Sequence, residues 1–162
     1  MIITFKELEK LRTELMGKKI IFAGGTFDLL HKGHVNYLAN LKNMGDVVVI
    51  AISSDKRVKQ RKGTLRPILS ESERLFLTDS IRYVDYALLS PSLIKDGEVP
   101  TIRIIKKLKP DVFVSADKKW LHFSNEIPIT TKLKIVTRDR INSTTKIINR
   151  IIKRYSGRKG NV

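Results

Sequence analysis

The chain has 162 residues, of which 41% are hydrophobic and 30% are charged. This composition predicts one soluble globular domain and excludes an intrinsically disordered chain or a collagen-like fibre. The 32 Lys and Arg against 16 Asp and Glu leave a net charge of +16, which favours anionic partners. The lack of cysteine excludes disulfides, Cys-ligated zinc and a thiol nucleophile, and is compatible with a cytoplasmic protein. The apolar runs fall far short of the roughly 20 residues that cross a bilayer, so we expect neither a membrane span nor a signal peptide.

Helix and strand signals alternate along the chain. Capping boxes formed by Thr4 with Glu7 and by Ser70 with Glu73 predict the starts of two helices. Runs of β-branched and aromatic residues predict strands at 18–23, 46–52, 84–89, 111–115 and 133–136. Apolar residues at helical spacing predict helices before Gly17, from about Val35 to Gly45, from Ser70 to about Tyr83, at 99–108 and from Ser143 onward. We expect a charged loop at 56–65.

This alternation predicts an α/β fold, namely a single-domain, Rossmann-like, doubly wound sheet of five parallel strands. Within it we expect an N-terminal helix at 1–17, the main domain at 18–155 and a frayed basic tail at 156–162. Ligands of such sheets bind outside the carboxyl ends of the strands, where the strand order reverses. The turns that follow strands are therefore the places to search for a site.

The turn after the first predicted strand carries the densest signal. Two of the three histidines, His31 and His34, flank Gly33 at the start of a helix. Their spacing places both imidazoles on one helical face. Because glycine has no side chain, a phosphate chain can approach the amides of a helix N-terminus, whose dipole favours anions. The turn is typical of a polyphosphate site, but it also fits a capping histidine, a packed histidine and glycines that merely turn the chain.

Residues Gly25 to His34 match the pattern Gly-x-Phe-Asp-x-x-His-x-Gly-His at every specified position. In this the chain resembles the His-x-Gly-His nucleotidyltransferase superfamily. Arg138 and the Ser-Thr-Thr run at 143–145 are similar to that family's second signature. Alone, Ser-Thr-Thr is typical of a helix cap, whereas beside the first motif it favours phosphate binding by hydroxyls and a guanidinium.

The resemblance is strongest to D-glycero-D-manno-heptose 1-phosphate adenylyltransferases and extends over most of the chain. The similar segments are 17–35, 54–55, 62–63, 66–68, 73–74, 84–85, 109–111 and 143–148. Glycerol-3-phosphate cytidylyltransferases resemble the chain almost as well locally, at 26–31, 82–85 and 111–114. The heptose enzymes have Lys-Gly-Gly-Asp-Tyr where residues 115–120 are Ser-Ala-Asp-Lys-Lys-Trp, and the glycerol-phosphate enzymes have Gly-Asp-Asp-Trp. Asp117 and Trp120 fit either pattern, and a lone Trp is also typical of core packing.

The resemblance implies an enzyme that transfers a nucleoside monophosphate, preferably from ATP, to a phosphorylated small acceptor such as heptose 1-phosphate, releasing pyrophosphate. CTP with glycerol 3-phosphate or another polyol phosphate is the alternative. The resemblance implies catalytic roles for His31, His34, Lys62 and Arg138. The residues that it implies in nucleotide binding are Gly24, Gly25, Thr26, Phe27, Asp28, Gly33, Asp117, Ser143 and Thr144.

Three of the polar residues keep alternative roles. Lys62 fits a phosphate clamp or a solvated loop lysine, and Arg74 fits a second clamp or a helix-surface ion pair. Asp28 would hold the motif or fix a histidine tautomer. We expect Mg²⁺ to arrive with the triphosphate, without a dedicated protein metal site. The resemblance also implies a homodimer.

A basic nucleic-acid-binding domain is the alternative from another class, suggested by the net charge and the basic residues at 154–159. The positive charge is spread over the whole chain, and neither an RNA-binding aromatic signature nor zinc-finger spacing is present. We therefore expect at most weak, nonspecific binding to nucleic acid and favour the enzyme.

Overall fold

The computed structural model describes residues 1–91, 98–137 and 143–156, in which five strands form one parallel sheet. The strands are β1 (Ile20–Gly25), β2 (Val47–Ile52), β3 (Tyr86–Leu89), β4 (Val112–Ser115) and β5 (Lys132–Ile135). Their order is β3-β2-β1-β4-β5, so the direction of winding reverses between β1 and β4. The predicted doubly wound α/β fold is confirmed.

Helices cover both faces of this sheet. They are α1 (Leu8–Glu14), α2 (Lys32–Lys42), α3 (Asp55–Lys62), α4 (Glu71–Asp79), α5 (Pro100–Leu108) and α6 (Thr144–Tyr155). Two 3₁₀ segments, Phe5–Glu7 and Lys118–Glu126, complete the described elements. Within these residues no helix is both long and apolar enough to cross a membrane.

The core explains why the central strands are apolar without interruption. Every residue of β2 is buried, and successive side chains enter two hydrophobic clusters on opposite faces of the sheet. Leu11 of α1 and Ile105 of α5 belong to one cluster, whereas Leu38 and Leu41 of α2 belong to the other. Helix α1 therefore packs on the same face of the sheet as α5.

The sequence predicts a charged loop at 56–65, and that prediction is wrong because most of this segment forms α3. The Ser54 hydroxyl accepts a hydrogen bond from the backbone N–H of Arg57 at 3.4 Å and starts the helix. Gly63, with φ of +91°, ends it. Val58 is the buried residue of this helix, so no apolar period marks it in the sequence.

Two predicted helix ends are also wrong. Helix α2 ends before Gly45, and a Cβ on that glycine would lie 2.7 Å from the carbonyl oxygen of Lys19 and 2.8 Å from Cγ1 of Ile21. Gly45 is thus needed for close packing rather than as a cap. Helix α4 ends before Tyr83, since Ile81 and Tyr83 pack against the core from the turn that follows.

The remaining predicted elements are found with ends shifted by about two residues or fewer, which is the usual uncertainty of a helix or strand boundary. Both capping boxes are present, and the Glu7 carboxylate accepts a hydrogen bond from the backbone N–H of Thr4 at 2.7 Å. The division at 17 and 155 stays a prediction. The predicted tail lies outside the described residues from 157 onward.

Candidate functional site

A cleft of about 1280 Å³ opens at the carboxyl ends of β1 and β4, where the strand order reverses. It brings together every predicted site residue that the structure describes. These lining residues are Gly24, Gly25, Thr26, Phe27, Asp28, His31, Gly33, His34, Lys62, Asp117, Ser143 and Thr144. Arg138, the remaining predicted catalytic residue, lies outside the described residues.

The two histidines lie at the first turn of α2. Their rings are stacked, with centroids 3.9 Å apart and planes inclined by 19°, so they do share one face. His31 occupies the N-cap position, but its side chain makes no capping hydrogen bond to the helix. The imidazole of His31 therefore does not serve as the helix cap.

The surroundings of His34 disfavour its charged form. Burial, followed by the charges of His31 and Lys62, lowers the pKa of His34 to about 4. The Nδ1 atom of His34 is buried and has no hydrogen-bond partner among the described residues. The ring centroids of His34 and Phe27 are 5.3 Å apart. At neutral pH His34 is a neutral imidazole that can donate one N–H to an anion in the cleft.

The backbone of the turn is strained and tightly held. Phe27 and Leu29 have φ of 51° and 46°, values that side-chain-bearing residues rarely adopt. The ring of Phe27 folds back over Gly25, where a Cβ would lie 2.5 Å from Cε2 of that ring. Any side chain at position 25 would therefore have to displace the buried ring of Phe27.

Asp28 is the anchor of this turn. Its side chain is 1% exposed and accepts hydrogen bonds from Arg66 and from the backbone N–H groups of Ile68 and Leu69, at 2.8–3.1 Å. Burial opposes ionisation, but the two N–H groups and Arg66 together hold the pKa of the Asp28 carboxyl below its usual value. Asp28 thus holds the motif against residues 66–69, as one of its two predicted roles requires.

Arg74 does not have either predicted role. It is fully buried, and it donates hydrogen bonds to the carbonyl oxygens of Thr26, Ser53 and Leu69 at 2.6–3.1 Å and to the carboxylate of Asp55 at 2.7 Å. A guanidinium whose donors are engaged with the protein neither clamps a phosphate nor forms a surface ion pair. Arg74 instead ties the ends of β1 and β2 to α3 and α4.

The start of α6 closes the cleft from the other side. The hydroxyl of Ser143 accepts a hydrogen bond from the backbone N–H of Lys146 at 3.2 Å and caps the helix. Thr144 donates its hydroxyl proton to the backbone carbonyl of Asp28 at 2.6 Å. Of the predicted hydroxyl pair, Thr144 therefore joins the two sequence motifs directly, whereas Ser143 caps its own helix.

The segment after β4 forms the third wall. The carboxylate of Asp117 accepts a hydrogen bond from the backbone N–H of Lys119 at 3.1 Å and lies 3.4 Å from Nζ of the same lysine. Trp120 is 8% exposed and packs edge-on against Phe113, with ring centroids 5.0 Å apart. Most of the indole is thus core packing, while its remaining surface lines the cleft.

Part of the basic lining of the cleft was not predicted from the sequence. Arg57 and Arg61 of α3 and Arg66 in the following loop all line the cleft. A helical interpretation of 56–65 would have found the first two, because a spacing of four residues places them on one face. The signals for that helix were the cap Ser54 and the terminal Gly63.

A family model described as cytidylyltransferase-like matches residues 22–154. Among curated proteins, the bifunctional protein HldE of Helicobacter pylori strain J99 is 38% identical over 155 residues, covering 92% of this chain and 31% of the relative. HldE of Campylobacter concisus is 37% identical over 149 residues, covering 91% and 30%. The chain thus spans less than a third of the length of these relatives.

Solved structures agree with the fold. The lipopolysaccharide core biosynthesis protein from Thermoplasma volcanium matches with a TM-score of 0.61 and 28% identity, over 78% of this chain and 100% of that chain. Pantoate-beta-alanine ligase from Francisella tularensis matches with a TM-score of 0.59 over 100% of this chain and 82% of that chain. Its 16% identity supports the fold alone.

Proposed function

The chain belongs to the cytidylyltransferase-like family, and from that premise we propose that it transfers a nucleoside monophosphate from ATP to the phosphate of a sugar phosphate such as heptose 1-phosphate. The nucleotidyltransferase resemblance seen in the sequence is confirmed at the level of the family. The observation that carries the proposal is the stacked pair His31 and His34 at the N-terminus of α2, in one cleft with the start of α6.

The proposed reaction is an in-line substitution at phosphorus. An oxygen of the acceptor phosphate forms a bond to the α-phosphorus of the triphosphate. The bond from the α-phosphorus to the oxygen that bridges to the β-phosphorus breaks, and its electron pair leaves with pyrophosphate. No covalent bond to the protein is needed, so catalysis consists of positioning and of stabilising the charge on the leaving group.

In this proposal the residues of the cleft position the substrates and stabilise the charge on the leaving group. The amides of the first turn of α2 and the helix dipole attract the triphosphate. His31 and the neutral His34 donate hydrogen bonds as charge moves toward pyrophosphate, and Lys62, whose charge already acts on His34, adds a cation there. Thr144 keeps α6 against the backbone of Asp28, so that both helix N-termini face one ligand.

Mg²⁺ is part of the proposal as the counterion of the triphosphate. Within the described residues no group of three or more His, Asp or Glu is arranged to hold a metal. The lining carboxylates Asp28 and Asp117 each lie beside a protein cation. These residues therefore do not form a metal cage, and no step above depends on the ion.

The experiment measures pyrophosphate release for each combination of a nucleoside triphosphate with an acceptor. ATP, CTP, GTP and UTP are each combined with sugar 1-phosphates including heptose 1-phosphate, with glycerol 3-phosphate, or with no acceptor. We expect turnover with ATP and a sugar phosphate, and none without an acceptor. Turnover with CTP and glycerol 3-phosphate alone would replace the proposed pair of substrates by the alternative.

A nucleic-acid-binding function is not favoured, because the cleft and the family point to a small-molecule enzyme. Oligonucleotide binding at several salt concentrations would test it, since phosphate contacts make affinity fall steeply with salt. The homodimer and the cytoplasmic location stay predictions. Sedimentation measures the first, and cell fractionation the second.

A further inference from the structure

Two arginines of α3 line the cleft on the side of β2. Arg57 and Arg61 lie one helical turn apart, and both face the cleft. Arg57 is half-buried and Arg61 is exposed. Burial and the neighbouring charge of Arg61 both lower the pKa of the Arg57 guanidinium, as expected when two like charges are held together.

The carboxylates around the cleft do not neutralise this pair. Within the described residues the lining acids are Asp28 and Asp117, and each lies beside another cation. Asp55, in the first turn of α3, is paired with a buried arginine of α4. Neither Arg57 nor Arg61 has an ion pair or a side-chain hydrogen bond with any described residue. A pair of cations that is held in a cleft without a counterion is typical of an anion-binding site.

The region proposed for the triphosphate adjoins the pair at the end of α3, where Lys62 follows Arg61, whereas Arg57 lies in the first turn of that helix. That region is bounded by α2, which follows β1, and by α6, near the crevice between β1 and β4. Helix α3 follows β2, which flanks β1 on the side away from β4. Ser53 and Ser90, at the ends of β2 and β3, line the same wall and add hydroxyls. A second anion bound there would lie beside the triphosphate rather than within its site.

We propose that Arg57 and Arg61 bind the phosphate monoester of the acceptor substrate, an inference that rests on the proposed function. Two guanidiniums can hold two terminal oxygens of a phosphate and offset its charge, which otherwise repels the triphosphate. The third terminal oxygen stays available to attack the α-phosphorus in the substitution described above. The acceptor class is therefore a small monophosphate ester, in contrast to an alcohol or a carboxylic acid.

The test compares two double variants of one helix. Arg57→Gln with Arg61→Gln removes the proposed site, whereas Lys56→Gln with Lys59→Gln removes the same charge from exposed positions of α3 that do not line the cleft. Steady-state kinetics give the KM for the acceptor. Calorimetry without acceptor gives the Kd for α,β-methylene-ATP. Inorganic phosphate is then titrated into each protein saturated with that analogue.

We expect the arginine double variant to raise the acceptor KM by about tenfold or more and to weaken phosphate binding by a similar factor, since one hydrogen bond to a charged group is worth that much. The Kd for the analogue should change less than about threefold, and the lysine double variant should match the wild type. Equal behaviour of the two double variants, or a loss confined to the analogue, overturns the proposal. Wild-type protein without turnover for any substrate pair refutes the proposed function, whereas phosphate titration still decides whether the arginines form an anion site.

Discussion

Two turns at the carboxyl edge of the sheet differ in what holds them. The β1 turn, taken together with the first turn of α2 as residues 24–34, is tied by side chains from distant parts of the chain. Arg66 reaches Asp28 across 38 positions, Arg74 reaches Thr26 across 48, and Thr144 reaches Asp28 across 116. In the β4 segment, residues 115–120, the described side-chain hydrogen bonds join Asp117 to Ser115 and Lys119 to Asp117, each two positions apart.

This difference matches the pattern of similarity along the chain. Distant ties fix the β1 turn in a strained shape, and this turn carries the motif matched at every specified position. In the β4 segment the described side-chain hydrogen bonds are local, and Trp120 is the residue that is buried in the core. The β4 segment is also where the sequence departs from the heptose enzymes. We infer that the first turn serves the chemistry and the second the choice of nucleotide.

The largest expected effect is on stability and comes from removing the hydrogen bonds that join the β1 turn to distant parts of the chain. Arg74→Met should lower the free energy of unfolding by about 3–5 kcal/mol, because it leaves Asp55 and three carbonyl oxygens without a buried donor. Urea denaturation measures this loss. The control is Arg150→Met on the exposed surface of α6, which should stay within about 0.5 kcal/mol of the wild type. A comparable small loss for both variants would mean that Arg74 does not anchor the turn.

A variant of the β1 turn that keeps the fold should still abolish most activity. His34→Ala should lower kcat by about 10²–10³-fold, because it removes a donor aimed at the developing charge. The loss should fall on kcat and kcat/KM together, and His31→Ala should behave similarly. The double variant should cost less than the sum if both rings act on one phosphate chain.

His122→Ala is the control for these variants, since it removes the third histidine from an exposed position. It should retain wild-type kcat. A His34→Ala protein with near wild-type kcat at saturating acceptor would return both histidines to a structural role.

Acid should weaken the β1 turn through His34. The folded-state pKa of His34 is about 4, below its ordinary 6.5, so between these values the unfolded chain binds more protons. The stability from neutral His34 is therefore complete above pH about 6.5 and is lost as pH falls toward about 4. Denaturation midpoints at pH 7.5, 6, 5 and 4 should fall less steeply for His34→Ala than for the wild type. Parallel curves for the two proteins would contradict a buried neutral imidazole.

The smallest effect is expected in the β4 segment. Asp117→Ala breaks a partly exposed pair, and such pairs contribute about 0–1 kcal/mol, so stability should hardly change. The ratio of kcat/KM for ATP to that for CTP should shift by about two- to fivefold. An unchanged ratio would remove Asp117 from nucleotide choice.

The sequence alone was sufficient for the features that depend on neighbours along the chain. Alternation of buried strands and helices follows from apolar periods, as in β2, where every residue is buried. The position of His31 and His34 on one face follows from helical spacing, and the position of the motif follows from its place directly after a strand. These features could be predicted because periodicity depends only on residues that are close together in the sequence.

The partners of long polar side chains were decided by the tertiary structure. Arg74 could be read as a phosphate clamp because its sequence neighbourhood does not show that the ends of β1 and β2 lie beside it. Arg57 and Arg61 line the cleft because residues 55–62 form α3. The sequence gives little sign of this helix, since Val58 is its buried residue. A guanidinium on a flexible stem binds whatever the fold places within its reach, so its role depends on contacts between segments far apart in the chain.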